Sequence, residues 1–320
     1  MKLISVFVTI LFVLQINTIW SAPLPLYSFY SQGLGIDTLD PTTGKSRNIF
    51  SYESDSQYEY ISAQLINETN VIASVLTNNG YAYITIDLES STIDLFPYYL
   101  PEFGFPNRPH FNPNNNLIYT LNQTVGTLIS IDTIDFEPSG NTIILLPSVI
   151  TYAMEMGYVD TILDTTENLF YIYINVGPFP QELDFDEYPC SQILGCNYFF
   201  VYDLNNNELV NHIDLRFWFK ILTFLSVESP TSILAWEVSK NQTVEIIDFN
   251  PKSGRVNSIY TTYLPLYIQG TAVDILNNIV YMLDFPGTQY TLGSFNYQTN
   301  SIDYTKFSNI AGTVLRVQDV

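Results

Sequence analysis

Three features of the 320-residue sequence predict an all-β fold, a six-bladed β-propeller with four antiparallel strands per blade. A short motif recurs at a nearly fixed period. Each period holds four runs of alternating β-branched and aromatic residues. Beyond the N-terminal segment, no stretch of 12 or more residues has clean helical periodicity.

The motif is clearest in "IIDFNPKSGRV" (246–256) and "GIDTLDPTTGKS" (35–46), which align proline on proline and glycine on glycine. Weaker copies are "TIDLESSTI" (85–93), "TIDFEPSGNTI" (133–143), "VYDLNNNELV" (201–210) and "SFNYQTNSI" (294–302). The aspartate position then holds Thr38, Asp87, Asp135, Asp203, Asp248 and Asn296, at gaps of 49, 48, 68, 45 and 48 residues. One insertion, at about 176–196 in blade four, accounts for the long gap. A β-sandwich has fewer strands and no strict long period.

Blade five shows the four runs as "KILTFLSV", "SILAWEV", "TVEIIDF" and "RVNSIYTTY". The first unit, from "LPLYSFYS" (24–31), has only three runs, and the chain ends with a lone run, "AGTVLRVQDV" (311–320). Pairing that C-terminal strand into the N-terminal blade as its innermost strand completes the blade. It closes the ring and hides two edges that would otherwise template aggregation. Residues 22–320 are thus expected to form one domain.

Residues 1–21 read as a secretory signal: Lys2 is the basic region, Ile4 to Leu14 the apolar core, and Ser21 and Ala22 the small residues at the cut. Pro23 disfavours cleavage after Ala22, so the cut is placed after Ser21. The later apolar segment "RFWFKILTFLSV" (216–227) is broken by Arg216 and Lys220, so no membrane insertion is expected. The expected location is extracellular, with the endosomal or lysosomal lumen as the alternative.

The formal charge of −21 argues against nucleic acid and anionic lipid as partners. The 47% apolar content suits a large buried core. Cys190 and Cys196 are the only cysteines, and in an exported chain they read as one disulfide over a short loop, worth roughly 2 kcal/mol. Asn67, Asn122 and Asn241 each begin an N-glycosylation sequon.

"FNPNNNLIYTLN" (111–122), "LDTTENLFYIYI" (163–174) and "VDILNNIVYMLD" (273–284) resemble the repeat of NHL, YVTN and SMP-30-like propellers, and "YMLD" (281–284) is similar to the YWTD repeat of six-bladed receptor propellers. The resemblance covers most of the chain and concerns blade construction rather than a catalytic motif. With blade strands lettered a to d outward, the recurring motif is the c–d turn. Asn122 and Asn241 fall in b–c connections on one face, and Asn67 in an a–b turn on the other. The cysteine-bearing insertion is the b–c connection of blade four, overhanging the face where such propellers bind ligands.

That insertion also carries Glu182, Asp184, Asp186 and Glu187, which read as a solvated acidic loop or as a docking patch for a cation or basic partner. Near the starts of innermost strands lie Asn107, Arg108, His110, Glu155, Asp160 and Gln269, the candidate contacts at the tunnel mouth. Oxygen donors in this set suit calcium, while Arg108, two positions from His110 on one strand face, suits an anionic group. The plainer reading is that these residues line a wet channel. No G-x-S-x-G motif is present, and His110 and His212 are the only histidines, so serine hydrolysis has no support. In "IIDFNPKSG", Lys252 stands where a calcium loop needs oxygen, so the segment is expected to turn the chain rather than hold a cation.

The expected function is a monomeric binding module for an unidentified protein or carbohydrate. The alternative is a calcium-dependent, lactonase-like hydrolase at the tunnel mouth.

Overall fold

The computed structural model describes residues 24–30, 34–52, 59–78, 80–95, 108–122, 127–132, 158–176, 196–215, 222–238, 244–262, 268–284, 289–307 and 314–317. These residues form strands and turns throughout, and among them no helix is long and apolar enough to cross a membrane. Residues 1–21, read from the sequence as a signal, the insertion with Cys190, and the motif copy at 133–143 lie outside the described residues.

The strands fall into six antiparallel sheets, five with four strands and one with three among the described residues. Sheet one joins β1 (Leu26–Tyr30), β2 (Gly35–Asp40) and β3 (Lys45–Ser51) to the last strand of the chain, β23 (Val314–Val317). Sheet two is β4 (Glu59–Leu65), β5 (Asn70–Thr77), β6 (Gly80–Asp87) and β7 (Thr92–Leu95). Sheet three is β8 (His110–Asn112), β9 (Leu117–Asn122) and β10 (Thr127–Asp132). Sheet four is β11 (Tyr158–Asp164), β12 (Leu169–Val176), β13 (Cys196–Asp203) and β14 (Glu208–Asp214). Sheet five is β15 (Leu222–Ser229), β16 (Ser232–Val238), β17 (Val244–Phe249) and β18 (Val256–Thr262). Sheet six is β19 (Ile268–Asp274), β20 (Ile279–Asp284), β21 (Tyr290–Asn296) and β22 (Ser301–Phe307). The two ends of the chain meet in sheet one, where Tyr27 pairs with Arg316 and Ser28 with Leu315.

The middle strands are apolar on both faces because sheets pack against sheets. In β12, Phe170, Ile172 and Ile174 join Tyr119 and Leu121 of sheet three, while Tyr171 and Tyr173 join Phe224 and Phe249 of sheet five. Period-two alternation sends neighbouring residues to opposite faces, so a run buried on both reads as continuously apolar. Aromatic rings lock the second contact, with Phe199 edge-on to Phe249 at 4.7 Å between centroids. Sheets one and two share a core around Phe29, Ala63 and Ile84. Sheets five and six share one around Leu225, Ile246 and Phe295. Leu26 and Leu39 of sheet one pack with Tyr281 and Phe307 of sheet six.

The turns explain the repeat. Five c–d turns begin with Asp40, Asp87, Asp203, Asn250 or Asn296, whose side-chain oxygen accepts hydrogen bonds from the amides two and three positions on. Four positions after each sits a left-handed residue: Gly44, Ser91, Asn207, Gly254 and Asn300 have φ between 55° and 69°. The a–b turns from Asn112, Asp164 and Asp274 repeat the device, ending at Asn116, Asn168 and Asn278 with φ of 55–57°. Asparagine and glycine tolerate this region, and Asp or Asn at the start satisfies the turn amides.

This corrects the sequence alignment in two copies. The turns start at Asp40 and Asn250, two positions later than Thr38 and Asp248, which lie within strands and donate to Arg47 O and accept from Ser232 Oγ respectively. Counted from the true starts, Asp40 to Asp87 and Asp203 to Asn250 each span 47 residues. "IIDFNPKSG" is a turn whose Asn250 Oδ1 receives the Lys252 and Ser253 amides, both at 3.0 Å.

Candidate functional site

The inner strands β4, β8, β11, β15 and β19 line a cavity of about 470 Å³. Its a–b end is bounded by Asn67, Pro113, Thr165, Ile275 and Leu276, all from turns that follow inner strands. Arg108, immediately before β8, belongs to the opposite end. The wall between is mixed, with Leu65, Leu163, Leu225, Val227, Ala272 and Val273 beside Gln64, His110, Ser226 and Thr271.

The inner strands have one edge without a ladder partner, and side chains from neighbouring sheets satisfy it. Phe111 N donates to Gln64 Oε1 at 2.9 Å, tying sheet three to sheet two. His110 Nε2 shares a 2.9 Å hydrogen bond with Thr161 Oγ1, tying sheet three to sheet four. Phe224 N donates to Asp160 Oδ2 at 2.6 Å, and Arg108 Nη1 donates to Phe224 O at 3.4 Å. Leu24 N donates to Asp274 Oδ2 at 3.0 Å, tying sheet six to the start of sheet one. A buried pair, Tyr83 Oη with Thr120 Oγ1 at 2.6 Å, adds a second link between sheets two and three.

These contacts fix what the predicted site residues do. Arg108 and His110 line the cavity together, as their spacing on one strand face implies. His110 is buried, and its ring lies edge-on to Phe170 at 5.5 Å. Asp160 turns to the β15 backbone and does not line the cavity. Asn107 and Glu155 lie outside the described residues, as does the Gln269 side chain, although the Gln269 backbone is in β19. Cys190 and the Cys196 side chain are outside them too, with the Cys196 backbone opening β13 opposite Val176. Among the described residues, no group of three or more His, Cys, Asp or Glu is placed to hold a metal ion. His212 is on outer strand β14, its ring stacked on Phe200.

Sequence reasoning missed Gln64, Leu225 and the Ile275–Leu276 pair. The last left a signal: an apolar dipeptide inside the turn "DILNN", where the equivalent turns have Pro-Asn or Thr-Thr. Also missed was Glu237, a half-buried carboxyl near the b–c end of sheet five. Burial, and then the Glu245 carboxylate directly across the ladder, push Glu237 up to about 7. Nearby, burial and then Asp160 raise the Tyr158 hydroxyl well above its ordinary range, and this group is hydrogen-bonded to Thr223 Oγ1 at 2.7 Å.

No protein-family model and no curated protein sequence matches the chain. Solved structures do match its fold. A chain of a nidogen/laminin complex superposes with a TM-score of 0.62 at 7% identity, covering 92% of this chain and 98% of that one. TolB from Acinetobacter baumannii gives 0.57 at 12% identity over 93% of this chain and 66% of that one. The β-propeller domain of Cps50 (Swd1) from Myceliophteria thermophila gives 0.52 at 10% identity over 91% and 89%. The chain is a β-propeller. Its inner strands line the tunnel, and the side-chain hydrogen bonds around it join neighbouring sheets.

Proposed function

We propose that this propeller is an extracellular protein-interaction module. The observation that carries the reading is the whole-chain fold match to a chain from a protein–protein complex, nidogen with laminin, in which almost nothing of either chain is left over. Asp160 and His110, two polar groups expected at the tunnel, are engaged with neighbouring inner strands and serve the scaffold.

We read the six sheets as six blades of a closed ring, with β23 as the innermost strand of blade one. Four observations support it. The pairing of β1 with β23 adds the last strand to blade one, and the Leu26–Phe307 core, the Asp274–Leu24 hydrogen bond and the hydrogen bond from Thr305 Oγ1 to Pro41 O bring blade six against blade one. The likeness to YWTD-type propellers belongs to this reading. The exported state also belongs here, with residues 1–21 removed, Cys190 joined to Cys196, and glycans on Asn67, Asn122 and Asn241. In this reading the glycans on Asn122 and Asn241, in b–c connections, share a face with the insertion at about 176–196, and the glycan on Asn67, in an a–b turn, is on the opposite face.

The test is capture from extracellular fluid on the immobilised, mature chain, followed by titration of each purified partner by interferometry. A saturable one-to-one isotherm supports the module. Absence of any saturable partner, together with calcium-dependent hydrolysis of lactones by the purified chain, replaces it with the enzyme.

A further inference from the structure

We propose that the central tunnel is a binding site for a small amphipathic carboxylate, separate from any protein-binding face. The tunnel's volume of about 470 Å³ falls within the range of pockets that take small ligands. Its polarity is uneven. Arg108 stands at one end, and Leu225, Val273, Ile275 and Leu276 form an apolar strip leading to the other mouth, where Asn67, Asp164 and Thr165 supply the polar part of the lining. Ile275 is 44% exposed and Leu276 54%, so the apolar strip continues onto the rim.

Arg108 makes the tunnel selective for an anion. A guanidinium carries five N–H donors in a planar fork that matches a carboxylate. Among the described residues it gives one of them, Nη1, to a backbone carbonyl at 3.4 Å, a long and weak contact. The neighbouring carboxylate, Asp160, is held by the Phe224 amide and does not line the tunnel. Asp164 does line it, but at the a–b end, with Oδ1 accepting the Thr166 and Glu167 amides. A ligand with its carboxylate on Arg108 and an apolar body along Leu225, Ala272 and Val273 satisfies both the guanidinium and the apolar strip.

The overall charge makes this a sharp test. A chain of net charge −21 attracts cations and repels anions, so a preference for anions has to come from a local group. The probe is 8-anilinonaphthalene-1-sulfonate, with N-phenyl-1-naphthylamine as its uncharged analogue, titrated by fluorescence into the intact folded chain. The sulfonate is expected to bind saturably at one site, to be displaced by octanoate, and not to be displaced by octyltrimethylammonium. Arg108→Gln should weaken the sulfonate by about tenfold or more and leave the neutral analogue unchanged, whereas Arg108→Lys retains part of the preference. The proposal is overturned by non-saturable binding, by equal displacement by the cation, or by equal loss of both probes in Arg108→Gln. If Arg108→Gln does not fold, the octanoate and octyltrimethylammonium competition on the unaltered chain decides alone.

Discussion

Asp160 Oδ2 accepts the Phe224 amide at 2.6 Å, so a side chain of blade four satisfies the inner edge of blade five. The inner strands β11 and β15 pack side by side, and this hydrogen bond ties them together. The same relation recurs between Gln64 and Phe111 N, and between Asp274 and Leu24 N. Polar side chains on the inner strands therefore tie sheet to sheet before any catalytic use.

Asp160→Ala leaves the Phe224 amide without its acceptor and is expected to destabilise the chain by about 1–3 kcal/mol. Asp160→Asn keeps an acceptor oxygen and should lose less. Urea denaturation measures both, and an Ala variant as stable as the parent would remove Asp160 from the scaffold.

Gly44 is required twice over. Its φ is 68°, and a Cβ there would stand 2.3 Å from the Lys306 carbonyl oxygen on the outer strand of blade six. Gly44→Ala should therefore cost at least roughly 1–2 kcal/mol from the left-handed backbone alone, with the clash in addition. Gly293, which has ordinary φ and no atom nearer than 3.5 Å, is the control, and Gly293→Ala should leave the melting temperature close to the parent's.

Stability should fall as pH rises through the Glu237 transition. Folding raises this carboxyl from 4.5 to about 7, so the folded chain holds a proton there that the unfolded chain has released. The contribution is fully present below about 4.5 and is lost as pH rises through about 7. Glu237→Gln should flatten the melting-temperature profile across that window. It should raise the melting temperature at pH 8 and leave it unchanged at pH 4. An unchanged slope in the variant would assign the effect to other groups. The sign suits a chain that stays folded in an acidic lumen as well as outside the cell.

Calcium and EDTA are both expected to leave the melting temperature unchanged, measured by calorimetry on the mature chain. A rise with calcium and a matching fall with EDTA would favour a metal enzyme.

The blade pattern was legible in the sequence because turn chemistry is local. An Asp or Asn with a glycine or asparagine four positions later announces all but one of the eight described turns built this way, the exception being Asp87 with Ser91, without reference to the rest of the chain. The same locality misled the alignment at Thr38 and Asp248. Pro41 and Pro251 drew those copies onto proline, whereas the capping oxygens of Asp40 and Asn250 set the turn. The tunnel was only partly legible. Arg108 and His110 stood out as charged or titrating residues in a strand. Whether such a side chain faces a ligand or a neighbouring strand depends on residues more than 40 positions away, as with Asp160 and Phe224 or His110 and Thr161. Leu225 and Ala272 gave no warning, because a tunnel wall and a blade core use the same residue types. Glu237 is unremarkable in sequence, and its carboxyl is raised by burial and by Glu245 only because the fold buries it and the β16–β17 ladder places the two opposite one another.

Closure of the ring is tested most directly by a crosslink between its two ends. Ser28 pairs with Leu315 in the β1–β23 register, so the double variant Ser28→Cys with Leu315→Cys places two thiols on directly opposed backbone positions. The predicted result is a 28–315 disulfide, identified by peptide mass mapping, that forms in the folded chain, raises the melting temperature, and does not form in urea. Two free thiols in the folded chain, both open to alkylation, would contradict a ring in which the last strand completes the first blade.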